Sequence, residues 1–206
     1  MKKLFLTLLL VLGITGAAHA LEIMPVNYSF DQATDSGSYK YSDRGGVQLT
    51  DGQYGTAPWY ADLGNGNAYE WVGWYNDHSV SIDFNFGEMV SIEHINIGTV
   101  QDHPNDVVVP SIAIFSSEDD IVWSLVTALA NPESSLNNNQ YFTFGFSDLG
   151  ISAQYISIVL THTLDGPWTF VDEIDFYDAN PVPEPATIML FGLGLLGLAG
   201  VSRKRK

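Results

Sequence analysis

Between Leu21 and Asn180 the apolar residues recur mostly at every second position. Val80, Ile82, Phe84 and Phe86 alternate with Ser81, Asp83 and Asn85. Ile95 and Ile97 flank Asn96, Ile112 and Ile114 flank Ala113, and Ile156, Ile158 and Leu160 alternate with Ser157 and Val159. Tyr141 to Phe146 is aromatic-rich, and Phe170, Ile174 and Phe176 close the series. Successive side chains of a strand point to opposite faces, so a period of two predicts strands with one apolar face. Gly, Asn, Asp and Pro clusters separate the segments, and none keeps the i, i+3, i+4, i+7 spacing of an amphipathic helix for three turns. The predicted fold class is all-β, an antiparallel β-sandwich with its aliphatic faces turned inward. Tyr54, Trp59, Tyr60, Tyr69, Trp71, Trp74 and Tyr75 crowd a stretch that reads as loop, and Asn131 to Gln140 and Thr161 to Pro167 read as two more. Asn27 to Gly46 is polar, with room for one or two edge strands.

The two ends break this pattern. Met1-Lys2-Lys3 precedes an apolar run from Leu4 to Ile14, and the small residues that follow end at Ala18-His19-Ala20. A basic start, a short apolar centre and an A-x-A end predict a signal peptide over 1–20, cleaved after Ala20. At the other end Val182-Pro183-Glu184-Pro185 leads into an uncharged apolar run from Ala186 to Val201, then Ser202-Arg203-Lys204-Arg205-Lys206. At about 1.5 Å per residue that run is roughly 24 Å long as a helix, somewhat short of a ~30 Å bilayer core. Gly192, Gly194, Gly197 and Gly200 give it a small-residue face, and the basic cluster stays cytoplasmic by the positive-inside rule. The order Pro-Glu-Pro, Gly/Leu-rich span, basic cluster resembles the PEP-CTERM sorting signal, over 181–206. That resemblance implies a transient inner-membrane helix over 186–201, processing near Pro183, Glu184 and Pro185 by an exosortase-type protease, and a Gram-negative cell making extracellular polysaccharide. The body, 21–180, is then exported to the cell surface or the extracellular matrix.

Charge narrows the choice of partners. The chain has a formal net charge of −16 and no cysteine, which excludes disulfides and thiolate metal sites. Of 24 acidic residues only Glu184 lies in the tail, whereas six of the 8 basic residues lie in the two ends. The body therefore holds 23 acids against Lys40 and Arg44, about −21. Such a surface repels nucleic acid and anionic lipid and attracts divalent cations; it also keeps an exported protein soluble.

The segment Leu49-Thr50-Asp51-Gly52-Gln53-Tyr54-Gly55-Thr56 contains an Asp-Gly turn. Such a loop aims hard oxygen donors at one point, which suits calcium, but one carboxylate is too few. Asp172-Glu173, near the last strand, supplies a second if the two chain ends of the sandwich meet. Asp-Gly followed by Thr56 and Trp59 resembles the opening of discoidin-like domains, the galactose-binding-like jelly rolls. Val80 to Gly87, Ile92 to Ile97, Pro110 to Trp123, Gln154 to Ile158 and Trp168 to Tyr177 resemble the later strands in order, so the likeness spans 47–177. Asp120 stands where a Gly is usual, which predicts a looser turn there, and Trp123 is assigned to the core. The resemblance implies a structural calcium held by Asp51, Thr56 and Glu173 through side chains, and by Leu49, Gln53 and Asp172 through the backbone.

Three functions stay open. Sugar recognition needs an aromatic platform with polar groups beside it, and the candidates are Trp59, Tyr60, Trp71, Trp74, Asn76, His78, Asp102, His103 and Trp168. A non-catalytic module binding carbohydrate of an exopolysaccharide matrix would use them. A structural matrix protein, binding another protein, would instead pack them in its core. A glycoside hydrolase would draw acid and base from Asp172, Glu173 and Asp175, but strand alternation places Glu173 opposite the other two. His78, His94, His103 and His162 lack metal-ligand spacing.

Overall fold

The computed structural model describes residues 20–34, 41–43, 45–61, 70–75, 79–102, 106–130, 140–162 and 166–178. The signal peptide over 1–19, the processing motif Pro183-Glu184-Pro185, the helix over 186–201 and the candidates Asn76, His78 and His103 lie outside the described residues. Ala20, at the expected cleavage site, is exposed.

Among the described residues eight strands follow one another: β1 (Asn27–Phe30), β2 (Val72–Tyr75), β3 (Ser79–Gln101), β4 (Ser111–Ser117), β5 (Ser124–Leu129), β6 (Gln140–Phe146), β7 (Ile151–Thr161) and β8 (Trp168–Asp178). A 3-10 turn at Gln48–Thr50 precedes β2. Among the described residues these strands pair antiparallel, as the alternating pattern predicts. Two of the segments expected as separate strands, 80–86 and 92–97, are halves of the 23-residue β3. Its first half pairs with β1 and β7, and its second half with β6 and β8. The register against β7 jumps between Asn85 and Val90. Gly87 sits inside that jump at φ 76°, a left-handed conformation that costs glycine little. The strand therefore leaves one layer and enters the other. The first layer reads β1-β3-β7-β4-β5 and the second β2-β8-β3-β6.

The inward faces carry the predicted aliphatic residues. Ile82 and Phe84 of the first layer, and Ile97, Ile174 and Phe176 of the second, belong to one buried cluster. The Phe84 and Phe176 rings meet at 4.9 Å in a T-shaped contact across the layers. A second buried cluster, Tyr41, Trp71, Val100, Val107, Trp168 and Phe170, lies on the other face of the second layer. Segments in the stretch 41–61 cover that face, so β8 is buried along both sides. Burying each such aromatic contributes about 1.5–3 kcal/mol, which explains why so many rings sit in one stretch.

Two expectations need correction. Trp123 is half-buried, not a core residue, because Ile121 to Ser124 rounds the β4–β5 turn at the sheet edge. The turn at Asp120 is not loose. Asp120 adopts φ 61°, the conformation a glycine would take, and Asp is among the few residues that tolerate it. Asp119 closes the turn by accepting the N–H groups of Ile121 at 3.0 Å and Val122 at 2.9 Å, while Ser117 Oγ accepts that of Asp120 at 3.0 Å.

Candidate functional site

The Asp-Gly loop and the last strand meet, as the ion expectation required. Gly52 takes φ 77°. The N–H of Gln53 then points at two carboxylates, donating to Asp51 Oδ1 at 2.9 Å and to Glu173 Oε2 at 3.1 Å. Glu173 is 0% exposed, and its Oε1 has no hydrogen-bond partner. Burial, with Asp175 and Asp51 nearby, pushes its carboxyl up to about 8.

The reason all this fits is a bulge in β8. Ile97 pairs with Ile174 but Thr99 pairs with Val171, so Gly98 alone faces both Asp172 and Glu173. Val171 and Ile174 both keep to the inner core, and Asp172, Glu173 and Asp175 fall together on the outer face. The alternation that separated Glu173 from its neighbours is thus wrong at this point. Gly98 is required there, because a Cβ would come 1.9 Å from Asp172 Oδ1. Asp172 was expected to contribute through its backbone. Its carboxylate, which that expectation left out, accepts the N–H of Gly55 at 2.7 Å and of Glu173 at 2.8 Å. Burial raises Asp172 to about 6. Asp175 accepts the hydroxyls of Tyr54 at 2.5 Å and Tyr177 at 3.2 Å.

Of the other predicted ion donors, Leu49 is buried, with its N–H on the Tyr28 hydroxyl at 3.0 Å. Thr56 is exposed, and its N–H goes to Glu70 Oε2 at 2.6 Å. Among the described residues there is no group of three or more His, Cys, Asp or Glu arranged to hold a metal. An ion here would therefore rest on Asp51 and Glu173 and take its remaining donors from hydroxyl or carbonyl oxygens. The unpartnered Glu173 oxygen fits that demand.

The aromatic candidates divide by burial. Trp71 and Trp74 are each 1% exposed, so neither presents a face to a sugar. Gly55 lies against the Trp71 ring, and Ala57 O accepts its N–H at 3.1 Å. Trp74 points into the inner core against Phe30, and its buried N–H has no partner. Trp168 and Asp102 are buried as well. These four are corrections to the predicted platform: Trp71, Trp168 and Asp102 lie beneath its exposed rings, whereas Trp74 belongs to the inner core. Trp59 is half-buried, stacks on Phe170 at 5.3 Å and donates its N–H to Asp102 Oδ2 at 2.7 Å.

The rings form a ladder. Tyr75 meets Trp168 at 4.8 Å, Trp168 stacks on Phe170 at 5.2 Å, Phe170 on Trp59, and Trp59 meets Tyr60 at 5.4 Å. Tyr141 stacks on Trp71 at 5.6 Å. Three rings surface: Tyr60 at 54%, Tyr141 at 42% and Tyr75 at 41% exposure. Of these, only Tyr60 was among the predicted ligands. Tyr141 was hidden in a strand pattern and Tyr75 in the loop-like stretch. Burial and the nearby Glu70, Tyr60 and Asp102 raise the Tyr141 hydroxyl above its ordinary value. Tyr75 closes β2 opposite Trp168, which opens β8, and Tyr141 opens β6 opposite Val100 near the end of β3; Tyr60 follows Trp59, whose indole reaches Asp102 just past the end of β3.

This two-layer arrangement, with an early loop pinned to the last strand, agrees with comparison to known proteins. The profile of the F5/8 type C domain matches residues 32–174. The chain belongs to the F5/8 type C domain family. The discoidin-like resemblance is thereby shown. The PEP-CTERM protein-sorting motif matches 181–206, the span expected for it. No curated protein matches the chain. Among solved structures it is similar to the family 32 carbohydrate-binding module of C. perfringens NanJ in complex with galactose, at 17% identity and a TM-score of 0.51, covering 78% of this chain and 100% of that one. It is also similar to truncated AlyQ, which has such a module and an alginate lyase domain, at 14% identity and a TM-score of 0.51; the likeness covers 78% of this chain but only 34% of that one. These likenesses establish the jelly-roll fold of the F5/8 type C domain.

Proposed function

We propose that this F5/8 type C domain is an exported, non-catalytic carbohydrate-binding module, and that its platform is the exposed rim of Tyr60, Tyr75 and Tyr141. The observation that carries this is the ladder itself. Rings buried from below leave three tyrosine faces open at the loop end, and an aromatic face suits the C–H side of a pyranose. The NanJ module, whose structure is a complex with galactose, supports carbohydrate as the ligand class. The PEP-CTERM motif supports export and sorting, with an exosortase-type protease removing a transient inner-membrane anchor and extracellular polysaccharide as the polymer bound. The test is a glycan array probed with the full-length protein in detergent. Specific spots that vanish in Tyr60→Ala/Tyr141→Ala, at unchanged melting temperature, uphold the reading; an empty array or unchanged spots refute it.

We propose in addition that Asp51 and Glu173 hold a structural calcium, with Thr56 and backbone oxygens, among them those of Leu49, Gln53 and Asp172, completing it. What supports it is a buried carboxylate with one unpartnered oxygen beside a second carboxylate, an arrangement that needs either a proton or a cation. Hydrolysis is disfavoured on physical grounds, because Asp172, Glu173 and Asp175 are occupied in holding the 51–55 loop. A protein-binding role has one observation in its favour: Ile121, Val122 and Leu125 are exposed together at the β5 edge.

A further inference from the structure

At the end of β6 remote from the tyrosine rim, three polar side chains line up in an order that the binding role does not use. His94 and Asn96 stand two apart on β3 and share a face, and Ser147 directly follows β6. Gly145 pairs with Asn96. Its missing side chain makes room for the imidazole, because a Cβ there would come 3.2 Å from His94 Cε1 and 3.3 Å from Asn96 Oδ1. The ring bridges both neighbours, with Nδ1 2.8 Å from Ser147 Oγ and Nε2 2.6 Å from Asn96 Oδ1. An amide oxygen can only accept, so Nε2 carries the proton, Nδ1 is the acceptor, and the Ser147 hydroxyl donates to it. The chain continues inward: Asn96 is hydrogen-bonded to Tyr177, whose hydroxyl donates to Asp175 Oδ2 at 3.2 Å.

A serine touching a histidine is ordinary on a protein surface. Here a third group orients the base, the arrangement that activates a hydroxyl as a nucleophile. Ser147 is exposed, and Asp148 turns the chain sharply behind it at φ 57°. The Asp148 N–H has no hydrogen-bond partner among the described residues. The N–H that follows a nucleophile is a usual donor to the oxyanion of acyl transfer. Ser124 and Ser152 are exposed as well but have no histidine on their hydroxyls.

We infer that Ser147 is an acyl-accepting nucleophile, activated by His94 and positioned through Asn96, that takes a short neutral acyl group from an ester. The bond from Ser147 Oγ to the carbonyl carbon forms as the ester's carbon–oxygen bond breaks. The hydroxyl proton passes to His94 Nδ1 and from there to the departing alkoxide. The neighbouring Asp148 carboxylate disfavours an anionic donor. The product is an acyl ester on the chain, so the step is a single covalent modification, separate from glycan binding.

The experiment treats the full-length protein in detergent with p-nitrophenyl acetate and, separately, with a fluorophosphonate, whose P–F bond the same hydroxyl would break with loss of fluoride. Modified peptides are mapped by mass spectrometry. Both reagents should modify Ser147 at least about 100-fold faster than Ser124 or Ser152. His94→Ala should bring Ser147 down to the rate of those two serines, and added imidazole should restore part of the difference, which a purely structural role for His94 would not allow. Asn96→Ala should give a rate between the two. Protein unfolded in urea should show no preference for Ser147. Modification spread evenly over the three serines, a wild-type rate in His94→Ala, a loss that imidazole leaves unrepaired, or a preference that survives unfolding overturns the inference.

Discussion

Gly98→Ala is a one-methyl change that acts on the joint between the early loop and the last strand. The added Cβ would stand 1.9 Å from Asp172 Oδ1, 2.9 Å from its Cγ and 3.1 Å from Tyr54 Cδ1. Asp172 is buried, so its carboxylate has to be displaced by more than 1 Å (about the deficit to an ordinary contact) without reaching water. It then loses the 2.7 Å bond from Gly55 N–H. A hydrogen bond to a charged group is worth about 1.5–3 kcal/mol, and overpacking adds roughly 1–3 kcal/mol. Restricting the unfolded chain by replacing glycine offsets about 0.4–1 kcal/mol. The net loss is roughly 2–5 kcal/mol, or a fall in Tm of about 5–15 °C for a domain this size. Urea unfolding of Gly98→Ala, Asp172→Ala and the double variant is the assay. In the Asp172→Ala background the methyl has room, so the two losses should fall short of additivity by at least about 1 kcal/mol. Gly145→Ala, whose Cβ would approach only the His94 and Asn96 side chains at 3.2 Å and 3.3 Å, serves as a mild control on the same strand pair. Full additivity, or a Gly98→Ala protein as stable as Gly145→Ala, would refute the packing of Asp172 over Gly98.

Four other outcomes are expected. Glu173 is raised from 4.5 to about 8 and Asp172 from 3.8 to about 6; a folded state that holds protons more tightly than the unfolded chain is most stable at low pH and loses that stability as pH rises, so in chelator the unfolding free energy should fall between about pH 4 and 8 by roughly 2–4 kcal/mol once solvent near the loop is allowed for, and Tm should fall with it. Calcium competes with those protons, so the Tm gain from calcium should be larger at pH 8 than at pH 5, and a gain of zero at both would count against the ion. Trp74→Phe removes a buried N–H that has no partner, whereas Trp71→Phe breaks the bond to Ala57 O, so urea unfolding should show the first costing at least about 1 kcal/mol less than the second. Asp120→Val places a β-branched residue at φ 61° and should cost about 1–2 kcal/mol, while Asp120→Gly should be near neutral by the same measurement.

Much of the fold was legible in the local pattern. Val80 to Phe86, Ile112, Ile114 and Ile156 to Leu160 announce their inner faces because alternation is a local property. Its limit is phase. A bulge resets the phase, and nothing in Val171-Asp172-Glu173-Ile174 reveals one, so the acid trio was split between faces that it shares. β2 was missed because Val72 to Trp74 is buried on both sides and shows no alternation. β3 was divided because its turn between layers, at Gly87, looks like an ordinary loop. Burial of the tryptophans depends on which face of the second layer the 41–61 stretch covers, a contact distant in sequence. The meeting of Asp51 with Glu173 was legible only through the family resemblance, since 120 residues separate Gln53 from its carboxylate acceptor.

The claim that the tyrosine rim carries sugar is tested most directly by saturation-transfer NMR on a glycan taken from the array, irradiating the protein's aromatic protons. Saturation should reach the C–H protons on one face of the sugar ring and be lost in the folded Tyr60→Ala/Tyr141→Ala variant. Transfer that persists undiminished in that variant would contradict the account.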